Sequence, residues 1–208
     1  AGDITLQFRA IASTIQEADA LLAQVADPIR QELSDRIYSE DGASLEATVA
    51  RHLQERGFTL AVAESCTAGM LASRIAAVPG VSRVLLGGFV VYADAMKQRL
   101  VGVDSALLEA HSAVSAEVAA ALASETRKRT GASFGVAITG YAGPDGGTDA
   151  DPVGTVYVAV SGPYRMHTQR LSFPGDRDRV RRFATQWALD ILRVEVLGVP
   201  VVTAPSLT

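Results

Sequence analysis

The sequence predicts an α/β fold, a layered α/β/α sandwich with a mixed sheet. Three observations lead there. Segments of strand and helix character alternate along most of the chain. Two strand-like segments, 154–161 and 165–173, flank Gly162-Pro163 and read as an antiparallel pair, which makes the sheet mixed. The composition is globular: 48% of the 208 residues are apolar and 20% charged. A chain of this length buries ~70% of the surface it exposes when unfolded.

The elements follow in order. Ile4 to Ile11 predicts a strand, with Ile4, Leu6 and Phe8 on one face. Ile15, Ala18, Leu22 and Val25 recur at helical spacing, Asp27-Pro28 is expected to open a second short helix, and Ile37-Tyr38 reads as a strand end. Ser39 to Gly42 is polar and turn-like, so a boundary is placed there, dividing 1–40 from 41–208. Ser44 is a suitable N-cap for a helix presenting Leu45, Val49 and Leu53, ended by Gly57. A strand is expected at 59–63 and a helix at 67–78, stopped by Pro79-Gly80. Residues 83–92 predict an apolar strand broken by Gly87-Gly88, followed by a short helix over 94–101. Ser115 caps a helix to Arg129, 134–139 predicts a buried strand, and 140–153 is a Gly/Pro/Asp-rich loop. Asp176 starts the last helix, with Val180, Phe183, Trp187 and Ile191 toward the core.

Composition narrows the chemistry. Cys66 is the single cysteine, so no disulfide forms within the chain and no multi-thiolate zinc site exists. His52, His111 and His167 have no ligand spacing, and no metal is expected. Asp145, Asp149 and Asp151 are the close acid set a metal-dependent phosphohydrolase would want; the other reading is that they solvate the loop. Net charge is -4, residues 1–40 carry that excess, and the rest balances, so neither nucleic acid nor a membrane surface is an expected partner. No apolar run reaches the length of a membrane span. With Ala1 first and no signal-type apolar core, the expectation is a cytoplasmic fragment. Seventeen of the 19 basic residues are arginine. Lys97 stands apart from Lys128, and a retained lysine suggests a need for an amine that can give up its proton.

Three segments can carry chemistry. Glu64-Ser65-Cys66-Thr67-Ala68-Gly69 joins a strand to a helix, where unpaired N–H groups can hold a phosphate or an oxyanion. Ser65 is a helix cap or a nucleophile; Cys66 is a small buried hydrophobe or a second nucleophile. Tyr92 ends a strand with Lys97 five residues on, so both are surface residues or share one cleft. Thr139-Gly140-Tyr141-Ala142-Gly143-Pro144 opens the glycine-dense loop, either a mobile connection or a close ligand approach. It matches neither the P-loop nor the dinucleotide fingerprint. Arg177, Arg179, Arg181 and Arg182 crowd the last helix start, as a solvated turn or an anion site.

Together, AESCTAG at 63–69, GGFVVY at 87–92 with Lys97, LVGV at 100–103, AITGYAGPDGGT at 137–148, PVGTV at 152–156 and FPGDRDRVR at 173–181 resemble the CinA C-terminal family, the nicotinamide mononucleotide amidohydrolases. The resemblance covers roughly residues 44–196. It implies hydrolysis of the carboxamide to nicotinate mononucleotide and ammonia, without metal or organic cofactor. It implies Ser65 as nucleophile, Lys97 and Tyr92 as base and proton relay, and N–H groups over Thr67 to Gly69 as the oxyanion site. Glu64, Thr67, Ala68, Gly69, Thr139, Gly140, Gly143 and Pro144 would line the substrate, with Arg177 on its phosphate. The implied partners are a pyridine mononucleotide and further copies of the chain, as a homodimer or larger. Residues 1–40 resemble the end of a small α+β, KH-like linker that joins this domain to an N-terminal nucleotide-hydrolysing domain in full-length proteins. They lack Gly-x-x-Gly, so KH-type RNA binding is not expected. The family's glycine at position 68 is alanine here; a positive φ there would cost it on the order of 1 kcal/mol. The rival readings are a nucleotide-binding module without turnover and a different amidase.

Overall fold

The computed structural model describes residues 2–198, which fall into two compact units, Gly2–Ser44 and the chain from Leu45 onward. In the first unit, α1 (Ile15–Leu33) is capped by Thr14, whose Oγ1 accepts from Glu17 N at 3.2 Å. It runs through Pro28, where the expected second helix would have begun. The ring holds a helical φ and forfeits one backbone bond rather than ending the helix. None of its residues is buried, and Ile15 and Val25 are exposed. The expected strand at Ile4 to Ile11 is not formed, nor is a strand end at Ile37-Tyr38. The alternation is present, but no second strand in this unit pairs with the segment, and an unpaired strand has no ladder. The KH-like α+β remnant is therefore not seen among residues 2–44.

The second unit holds a five-stranded mixed sheet in the order β2-β1-β3-β4-β5: β1 (Leu60–Glu64), β2 (Leu85–Val90), β3 (Phe134–Gly140), β4 (Thr155–Ser161) and β5 (Met166–Ser172). The first three run parallel, and β4 and β5 return antiparallel as the Gly162-Pro163 pair predicts. β1 is buried along its whole length, as a central strand covered on both faces must be. Ala63, Ala137 and Ala159 stand in register across β1, β3 and β4, and α6 (Ala116–Thr130) packs there through Val118, Ala119, Leu122 and Ala123. The small side chains let the helix come close: a Cβ at Gly135 would lie 2.2 Å from the Ala123 carbonyl. Ser115 caps α6 as expected, accepting from Val118 N at 3.2 Å. The other face takes α7 (Arg177–Leu197), which also packs on α2 (Leu45–Glu55) and α3 (Met70–Ala76). Its buried face is Val180, Ala184, Ala188 and Ile191; Phe183 and Trp187 are half-buried beside it.

Two local expectations change. β2 passes through Gly87-Gly88 without a break, because Gly88 lies so close to Val62 that a Cβ would meet its carbonyl at 2.2 Å. The helix after β1 starts at Met70 rather than Thr67, since Ala68 and Gly69 both take positive φ, +50° and +91°.

Candidate active site

The parallel strands β1, β2 and β3 end on the same side of the sheet, and β4 begins there. Ligands of open α/β sheets bind outside such carboxyl ends. The candidate residues cluster on this edge.

Glu64, the last residue of β1, is completely buried. Its Oε2 accepts from the N–H groups of Gly69 and Leu71, both at 3.0 Å, and its Oε1 from Ala72 at 2.8 Å. The carboxylate is thus the cap of α3, supplied from the strand instead of the preceding residue. Ser65 N–H extends the ladder to Ile138 O at 2.9 Å, and Ser65 O accepts from Ala68 N at 3.1 Å. Among the described residues the Thr67 N–H then has no hydrogen-bond partner, while the Cys66 N–H faces its own thiol. Of the N–H groups expected over Thr67 to Gly69, those of Ala68 and Gly69 are spent on Ser65 O and Glu64, and that of Thr67 is not. Thr67 Oγ1 is buried without a partner. Ser65 is 7% exposed, at the mouth of this turn.

Cys66 is buried, and that burial pushes its thiol up to about 12 despite the opposing charges of Arg181 and Arg177. It is a neutral thiol at neutral pH, which favours the buried-hydrophobe reading over a thiolate nucleophile. Ala68 does adopt the left-handed conformation at which the family glycine is replaced.

The first two turns of α7 tie the edge together. Asp176 caps the helix, accepting from Arg179 N at 2.8 Å. Arg177 donates to Gly143 O at 2.7 Å and to the Tyr92 hydroxyl, joining the loops after β3 and β2. Arg181, one turn on, donates to Thr67 O at 2.9 Å and so holds the turn after β1. The other two arginines of the cluster stay outside: Arg179 lies over the Phe183 ring and Arg182 pairs with Asp178. Tyr92 is 53% exposed.

The loop after β3 is close-packed at its start. A Cβ at Gly140 would sit 2.7 Å from Thr155 O; Gly143 has φ +84°, and Pro144 follows it on the exposed side. Thr139 is fully buried, its hydroxyl donating to Ala113 O at 2.7 Å, so it braces the strand end. Asp151 accepts from Tyr157 OH and from Arg170 Nε at 2.8 Å, fastening the loop to β4 and β5. Among the described residues, no group of three or more His, Cys, Asp or Glu could hold a metal ion, and no helix is long and apolar enough to cross a membrane.

Lys97 is almost wholly buried, 2% exposed, and donates to Asp94 Oδ1 at 2.8 Å. It follows the short helix α4 (Asp94–Met96) and opens a π-turn, Lys97–Val101, where a plain α-helix was expected. Its carbonyl accepts from Gly102 N and Val103 N, Gly102 takes φ +85°, and Arg129 donates to Val101 O. Among the described residues, no hydrogen bond joins Lys97 to Ser65 or Tyr92. Sequence reasoning did not single out Asp94, Gly102 or Arg129 for the site, and named Arg181 only within the arginine cluster. The glycine of LVGV was the one local signal among them.

Residues 42–196 match the model of the CinA C-terminal domain. The chain belongs to the CinA C-terminal domain family. All the candidate residues of this CinA domain lie inside the matched stretch. A CinA-like protein of Solibacter usitatus is 47% identical over 201 residues, covering 95% of this chain and 48% of the relative. One from Myxococcus xanthus is 47% identical over 196 residues, covering 94% and 47%. The chain spans about half the length of the curated relatives it matches. Among solved structures, a CinA superfamily protein of Klebsiella pneumoniae has TM-score 0.72 at 36% identity, covering 74% of this chain and 96% of its own. One from Escherichia coli has TM-score 0.70 at 33% identity, covering 78% and 98%.

Proposed function

We propose that this CinA domain hydrolyses the carboxamide of nicotinamide mononucleotide, giving nicotinate mononucleotide and ammonia. The family is associated with that activity. The observation that carries the reading is Ser65 at the end of a central strand, two residues before the uncommitted N–H of Thr67. Ser65 Oγ attacks the carboxamide carbon, and the Thr67 N–H receives the oxyanion. Lys97 and Tyr92 serve as base and proton relay, taking the hydroxyl proton and passing one to the departing nitrogen. Water then cleaves the acyl ester, leaving the carboxylate. Arg177 spends two of its five N–H groups on Gly143 and Tyr92, which leaves donors for the phosphate.

The test is ammonia release by the purified full chain. Ser65→Ala and Lys97→Ala are expected to lose several orders of magnitude in turnover with unchanged circular dichroism, and a Ser65 acyl adduct should be trappable by mass spectrometry. Near-normal turnover in either variant removes that residue from the mechanism. The absence of a bond from Lys97 to Ser65 favours a second reading, nucleotide binding without turnover. Calorimetric binding with no ammonia released would identify it.

A further inference from the structure

We propose that Asp94 is the residue that positions the Lys97 amine, an inference that rests on the hydrolytic reading above. The chain has two lysines, and each donates to an acid three residues earlier. Lys128 and Glu125 form an ordinary surface pair, 66% and 31% exposed at 2.6 Å. Lys97 differs in kind: its side chain is 2% exposed while that of Asp94 is 62% exposed, at 2.8 Å. A lysine nitrogen loses its hydration when buried and needs a hydrogen-bond partner in exchange. Among the described residues, Asp94 is its one hydrogen-bond partner.

The backbone of Lys97 is fixed from the opposite direction. Its carbonyl is shared by Gly102 and Val103, and Arg129 holds the far end of the π-turn at Val101. What remains free is a four-carbon stem with several rotamers. Asp94 fixes its tip. Asp94 does not cap α4, whose N-cap is Ala93, and its exposure leaves it no core to support. Its carboxylate acts through Lys97 rather than on a substrate.

The scarcity of lysine makes the test direct. In the full chain labelled with nitrogen-15 lysine, two Nζ signals are expected, assigned with Lys128→Arg. Asp94→Ala should move the Lys97 Nζ signal and speed exchange of its protons at least tenfold, with the Lys128 signal still. In the same variant kcat for ammonia release should fall at least tenfold, with KM within twofold and the circular dichroism of the folded chain unchanged. Asp94→Asn, which keeps an acceptor oxygen, should recover part of kcat. An unmoved Lys97 signal, or a moved signal with full kcat, overturns the proposal. Absence of ammonia release by the wild type overturns the hydrolytic reading instead, and the Nζ signal then decides the positioning by itself.

Discussion

At Cys66, a thiol beside the proposed nucleophile is kept out of the chemistry chiefly by burial, with the Glu64 charge acting in the same direction. With its value near 12, roughly one thiol in ten thousand is ionised at pH 8. Native protein should resist iodoacetamide at that pH, whereas urea-unfolded protein is labelled; rapid labelling of the native chain would contradict the burial. The same shift has a stability consequence. The native state holds the proton longer than the unfolded chain, so this contribution is complete below pH 9.0 and is lost as pH rises toward 12. Wild type should therefore lose roughly 1.4 kcal/mol per pH unit across that window relative to Cys66→Ala. Two residues on, Ala68 holds a φ that glycine adopts freely. Ala68→Gly is expected to stabilise the domain by up to about 1 kcal/mol in urea melts. A loss of stability would mean that chain entropy outweighs the relieved strain.

The turn before α3 shows how one buried acid sets an element boundary. Periodicity started this helix at Thr67, but three N–H groups converge on Glu64 and the helix begins at Met70. Glu64→Gln replaces one acceptor oxygen by a donor facing an N–H group. It should lower stability by about 2–3 kcal/mol. Because the same bonds shape the Ser65–Gly69 turn, ammonia release should fall as well; an unchanged urea midpoint would show that other acceptors serve. The Lys97 turn carries a similar lesson. A continuous helix over 94–101 is the natural reading of its composition, yet it closes as a π-turn because Gly102 adopts a positive φ and Arg129 reaches Val101 from α6.

On the scale of the molecule, every buried residue described lies from Leu45 onward. The solved Klebsiella pneumoniae relative covers 74% of this chain and 96% of itself, so nearly all of that relative has a counterpart here. A chain beginning at residue 42 is expected to keep its thermal midpoint within about 2 °C. A drop beyond this would show that residues 2–41 contribute stability.

Strand alternation, the hairpin at Gly162-Pro163, the Ser115 and Asp176 caps and the strand-to-helix turn at Ser65 are local. Each is set by residues a few positions apart, so the sequence alone determined them, and the ordered motifs named the family. The first 40 residues mark the limit of such patterns: alternation at Ile4 to Ile11 suits a strand, but a strand exists only where another pairs with it. Only the tertiary structure decided the bonds that build the site. Arg177 meets Tyr92 across 85 positions and Arg181 meets Thr67 across 114. It also decided which N–H groups of the turn remain free, because that depends on where a buried carboxylate points. Side-chain directions across such separations are set by packing, and no spacing along the chain encodes them.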